Sequence, residues 1–174
     1  MKICLKSISN KPKTSKFYLA LVIILLKIVF ADLKDLNTER YLKNQDSDIV
    51  LVVQGSGVQN LFGSYYEGIY PSEVLVNGIK DDSCSNQCTL QGDTNIITLR
   101  FQTQIVSYEY MFYYLANIIE VDLSNFDASK VTTMYNMFCS CTNLKKINFW
   151  NINTSYVESL RMFVSSCTNL ISID

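Results

Sequence analysis

The chain has 174 residues, of which 48% are hydrophobic, 18% charged and 12% aromatic; this suits one domain with an extension and excludes a wholly disordered polymer. The net charge of −1 is laid out unevenly: six lysines precede Asp32, and from there on nine basic residues face sixteen acidic ones, a balance of −7. That balance disfavours a nucleic-acid partner, and the absence of any histidine excludes Ser-His-Asp triads, Cys-His pairs and His-ligated metal sites.

Residues 1–31 read as a secretory signal peptide. A lysine-rich start leads into the apolar run 17–26, and Val29 and Ala31 supply acceptable residues at the two positions a signal peptidase inspects. The uninterrupted apolar run covers ten residues, whereas crossing the hydrocarbon core takes about 20. Cleavage after Ala31 is expected, with an uncleaved signal anchor as the alternative. Cys4 precedes the apolar run, so it is not placed as a lipoprotein acceptor. Residues 32–48 are polar and charged and read as a linker.

Region 49–104 is expected to be a small β cap. Ile49 to Val53 form a buried-strand run ending at Gly55-Ser56-Gly57, Val74-Leu75-Val76 lead into an Asn77-Gly78 turn, and Asn95 to Phe101 form another strand. Removal of Cys4 with the signal leaves five cysteines, which cannot all pair within one chain. Cys84 and Cys88 lie in a polar loop and are expected to close a small disulfide in an oxidising compartment. A zinc knuckle would need four ligands, which no second pair supplies, so neither a metal nor another cofactor is expected.

The remainder, 105–174, repeats itself at an interval of 26 residues without a gap. Met111 aligns with Met137 and Phe163, Asn117 with Asn143 and Asn169, and Val121 with Ile147 and Ile173. Ser140-Cys141-Thr142-Asn143-Leu144 recurs as Ser166-Cys167-Thr168-Asn169-Leu170. Within one copy, Ile118-x-x-Val121-x-Leu123 has the two-residue period of a strand. Val131, Met134, Met137 and Phe138 have the spacing of a short helix, with Asp127 or Asn153 before it as capping residues. The expected fold is therefore α/β, a leucine-rich-repeat-like solenoid of about two and a half coils behind the β cap. Cys141 and Cys167 share a column with Leu115, which reads as apolar filling rather than redox or metal chemistry. The asparagine column reads as satisfying backbone groups at the turn into each strand.

Met137-Phe138-x-x-Cys141-x-x-Leu144, together with Val121-Asp122-Leu123-Ser124-Asn125-Phe126-Asp127-x-Ser129-Lys130-Val131, resembles the BspA-like leucine-rich-repeat surface proteins over about residues 96–174. The resemblance implies a secreted or cell-surface protein that attaches to surfaces, matrix or other cells, and it carries no catalytic residues. The general leucine-rich pattern prefers Asn or Cys where Phe126 and Ile152 stand; here Asn falls one step earlier, at Asn125 and Asn151.

The expected function is an interaction or adhesion module without catalysis, whose ligand is a protein or glycan on cells or matrix. Membrane contact is expected only through an uncleaved signal segment. Asn153-Thr154-Ser155 is a glycosylation sequon. Because the third copy stops within its strand, a truncated or degenerate family member without activity is the alternative reading. A hydrolase using Asp122 with Glu120 or Asp127 is the further alternative.

Overall fold

The computed structural model describes residues 47–174, so the signal segment and linker residues 32–46 lie outside the described residues. Ser47 and Asp48, placed in the linker by the sequence reading, open the first strand.

The described residues form nine strands in chain order: β1 (Ser47–Gln54), β2 (Gly57–Asn60), β3 (Glu73–Val76), β4 (Ile79–Lys80), β5 (Gln87–Leu90), β6 (Thr94–Phe101), β7 (Ile118–Asp122), β8 (Lys146–Asn148) and β9 (Ser172–Ile173). Seven of them make one mixed sheet in the order β4-β3-β6-β1-β7-β8-β9, while β2 and β5 pair separately. Strand β1 sits near the centre because it alternates strictly. Ile49, Leu51 and Val53 are buried on one face, with Val50 and Val52 half-buried on the other. It runs antiparallel to β6 on one side and to β7 on the other.

The β3–β4 hairpin turns at Asn77 (φ 51°) and Gly78 (φ 81°), two successive left-handed residues that Asn-Gly supplies at low steric cost. Between β1 and β3, Arg100 of β6 lies in register with Asp48 and Glu73. Its guanidinium donates to both Asp48 oxygens at 3.1 Å and to Glu73 Oε2 at 2.6 Å, so three strands are pinned across one rung.

At β7 the sheet changes character. β7, β8 and β9 run parallel, and their register pairs residues 26 apart: Val121 with Ile147 and Ile147 with Ile173. Isolated bridges Ser107–Thr133–Ser159 keep the same offset on the return path. The core is continuous from the antiparallel to the parallel strands, running from Ile49, Leu51 and Leu99 through Phe112, Met134 and Phe138 to Ile147.

One part of the expected fold is corrected. No helix forms among the described residues, so the α/β solenoid with a helix in each coil is replaced by strands and turns. The strands of region 49–104 are continuous with the repeats, because β1 joins β7 within one mixed sheet. The correction has a definite cause. Segment 131–141 is a chain of tight turns, with Met137 N–H donating to Met134 O, Cys139 N–H to Asn136 O and Cys141 N–H to Phe138 O. Left-handed residues recur every four positions, at Tyr110 and Tyr114, Asn136 and Ser140, and Met162 and Ser166. A right-handed helix does not accommodate them. Successive turns bring every third or fourth side chain back to one face, which mimics the helical spacing. Asp127 and Asn153, expected as helix caps, instead close turns by accepting the backbone N–H of Ser129 and Ser155.

Candidate functional site

The turn runs 107–114, 133–140 and 159–166 lie side by side with a directional backbone. Tyr108, Tyr110, Phe112 and Tyr114 N–H donate to the carbonyls of Thr133, Tyr135, Met137 and Cys139 at 2.9–3.1 Å. One step on, Met134, Asn136, Phe138 and Ser140 N–H donate to Ser159, Arg161, Phe163 and Ser165 at 2.7–3.1 Å. Even-numbered N–H groups thus point along the stack and odd-numbered carbonyls point back. The first run is left with carbonyls at 107, 109, 111 and 113 facing away from the second. Of these, Met111 O accepts Gly63 N–H at 2.8 Å; those of Ser107 and Glu109 have no backbone donor among the described residues.

Over this acceptor end lies the aromatic segment 61–70. Gly63 is required there, since a Cβ would meet Tyr110 O, and also Tyr113 N at 2.8 Å and Tyr113 O at 2.9 Å. Phe62 then stacks on Phe112 with ring centroids 6.1 Å apart, and Tyr66 stacks on Phe62 at 5.4 Å. The close approach leaves an open groove of about 650 Å³ beside it.

Three tyrosines form one wall of the groove, with centroid separations of 5.9 Å (Tyr65–Tyr110), 5.6 Å (Tyr65–Tyr113) and 5.4 Å (Tyr110–Tyr113). Tyr66, Glu67, Gly68, Ser107, Glu109 and Asn136 complete the lining. Burial pushes the Tyr66 phenol well above its ordinary range, and burial beside other tyrosines raises Tyr113 as well, so these hydroxyls stay protonated at neutral pH. Glu109 accepts the Thr133 hydroxyl at 3.1 Å. Asn136 is only 5% exposed, and its buried Oδ1 has no hydrogen-bond partner among the described residues. A second, smaller cavity of about 260 Å³ lies against the same aromatic segment, bordered by Phe62, Tyr70 and Tyr114.

The residues singled out in the sequence lie elsewhere. Cys84 and Cys88 are joined as a disulfide, both largely buried. Asp81 approaches the two sulfurs closely enough to complete a three-ligand set, but disulfide sulfurs offer no thiolate to a metal. Asn153 is exposed, and its side-chain oxygen accepts the Ser155 hydroxyl at 2.7 Å. Asp122 is occupied with the Ser124 N–H and the Asn148 amide, Asp127 with Ser129 and Gln104, and Glu120 is exposed on β7. None of these three acids lines either cavity. The asparagine column donates to backbone, Asn143 to Ala116 O at 2.8 Å and Asn169 to Thr142 O at 2.7 Å.

The cysteine column has a task that composition did not disclose. Cys141 Sγ donates to Phe112 O and Cys167 Sγ to Phe138 O, each at 3.0 Å. Burial pushes the Cys141 thiol up to about 12, so it remains a donor rather than a nucleophile at neutral pH. The groove itself was not read from the sequence. Its only advance signal is tyrosine density, since seven of the eleven tyrosines fall at 65–70 and 108–114.

Residues 88–172 match a family model described as "Mycoplasma protein of unknown function, DUF285". No curated protein and no solved structure matches the chain.

Proposed function

We propose that this chain is a secreted or cell-surface interaction module which holds its partner in the tyrosine-lined groove. The carrying observation is a concave site whose aromatic wall stands on backbone fixed by interlocked turns, so the rings are positioned before a partner arrives. Tyrosine suits such a role because it offers a broad apolar face and a polar tip while few rotamers are lost on binding. The groups around it, two carboxylates, an amide and backbone carbonyls, serve recognition by hydrogen bonding.

Placement outside the cell rests on the basic and apolar pattern of residues 1–31, and the Cys84–Cys88 disulfide accords with an oxidising compartment. The resemblance of 96–174 to BspA-like surface proteins points the same way. The test is binding of the full chain to cells and to extracellular matrix, compared with the double variant Tyr65→Ala/Tyr110→Ala. Loss of binding with an unchanged melting temperature is expected. Undiminished binding by the folded variant removes the groove from the interaction.

A further inference from the structure

We propose that the groove recognises a cationic group, a guanidinium or ammonium, carried by a basic peptide segment of the partner; this rests on the groove being the binding site. The inference comes from the polarity of everything that borders it. Glu67 is exposed and makes no ion pair among the described residues, and Glu109 contributes a second carboxylate. No lysine or arginine among the described residues lines the groove.

The backbone adds acceptors of its own. The N–H groups of Tyr110 and Tyr113 are spent within the fold, on Tyr135 O and Tyr110 O, and that of Glu109 on the Ser107 hydroxyl. The carbonyls of Ser107 and Glu109, at the acceptor end of the stacked runs, are left without a backbone donor among the described residues. Asn136 also lines the groove, but its Oδ1, without a partner among the described residues, is buried and adds no exposed acceptor. The site therefore presents carboxylates, unspent carbonyls and negatively polarised ring faces together.

An anion would face two carboxylates with no cationic side chain among the described lining residues to offset them. A neutral sugar would find stacking surface but few donors for its own oxygens. A planar guanidinium is answered on every side: ring faces accept it by cation–π attraction, and its fork of N–H groups matches carboxylate and carbonyl oxygens. Arginine and lysine side chains share this chemistry with free polyamines, but a peptide also brings apolar neighbours for the ring cluster Tyr65, Tyr110 and Tyr113.

The full chain is titrated with an arginine-containing basic peptide, with spermidine, with an acidic peptide of equal length and with a neutral oligosaccharide. Tyrosine fluorescence and the NMR signals of Tyr65, Tyr110 and Tyr113 are the readouts. The basic peptide is expected to shift those signals, and more tightly than spermidine. Glu67→Gln and Glu109→Gln should each weaken it about three- to tenfold, with further weakening as salt rises. Glu67 has no side-chain partner among the described residues, so Glu67→Gln keeps the test open if the Glu109 variant misfolds; Glu158→Gln, outside the groove, should change nothing.

Spermidine binding as tightly as the peptide keeps the cation and overturns the peptide as its carrier. Neutral oligosaccharide or acidic peptide perturbing the groove while both cations fail overturns the cationic class and leaves the groove as a binding site. Silence of the groove tyrosines toward all four probes overturns both.

Discussion

Ile147 and Ile173 are the same residue in the same column, one a single layer inside the other, and their truncation should differ by a calculable amount. Ile147 is 0% exposed between β7 and β9, whereas Ile173 is 49% exposed on the outermost strand. Ile147→Ala removes a fully buried side chain and leaves a cavity that neighbours on both sides hold open. That costs about 3–4 kcal/mol, within the range for Ile→Ala in cores. Ile173→Ala forfeits roughly half of the transfer term and leaves no enclosed cavity, so it should cost about 1 kcal/mol. The gap of about 2–3 kcal/mol translates into roughly 6–15 °C in melting temperature for a domain of this size. Urea denaturation of the two variants measures it directly, with midpoints shifting and slopes unchanged. Equal costs at the two positions, or a cost below about 1 kcal/mol at Ile147, would refute the inside-to-outside ordering of the column.

Other positions give further tests. Cys141 should resist iodoacetamide at pH 8 in the native state and label promptly after denaturation, because its thiol sits near 12; rapid native labelling would contradict its buried hydrogen bond to Phe112 O. Gly63→Ala should destabilise by about 2 kcal/mol or more, since the new methyl meets backbone atoms of Tyr110 and Tyr113 that have little room to yield, and groove ligands should weaken with it. Hydrogen bonds from the Ser129 hydroxyl and backbone, opposed by partial desolvation, hold the Asp127 carboxyl below its ordinary range. A depressed folded value stabilises the fold above the unfolded pKa, and the benefit disappears as pH falls through the folded one. Asp127→Asn keeps the turn, as Asn153 does one copy later. It should therefore lose about 0.2–0.5 kcal/mol at pH 6 and nothing near pH 2, read from melts at both pH values.

What the sequence made legible is what side-chain identity encodes. The offset that aligns Val121, Ile147 and Ile173 in the sequence is also the register of the parallel strands, because matching apolar residues fill one continuous core. The strands around Ile49, Val74 and Ile97 announce themselves by β-branched runs bounded by turn residues. The helix expectation failed because spacing alone does not separate one helical turn from two overlapping tight turns. The left-handed residues that decide the matter include Tyr110, Tyr114 and Met162, whose types give no warning.

The β2–β5 pair went unforeseen because Gly57-Val58-Gln59-Asn60 lacks an alternating pattern. Nor does any local signal place β1 between β6 and β7, since that choice is made by burial across more than sixty residues of chain. The groove was hidden for the same reason. Its wall joins Tyr65 to Tyr110 and Tyr113, and its polarity arises from backbone direction rather than composition.

That backbone direction is most directly tested by hydrogen exchange at single amides. The N–H groups of Met134, Asn136, Phe138 and Ser140 donate to the neighbouring run, whereas those of Leu160, Met162, Val164 and Ser166 have no such partner among the described residues. The first four should exchange slowly, with opening energies approaching global stability, and the second four at rates close to those of unstructured peptide. Equal protection of the two rows, or fast exchange at Asn136 and Phe138, would contradict the directional stacking on which the groove's acceptor character depends.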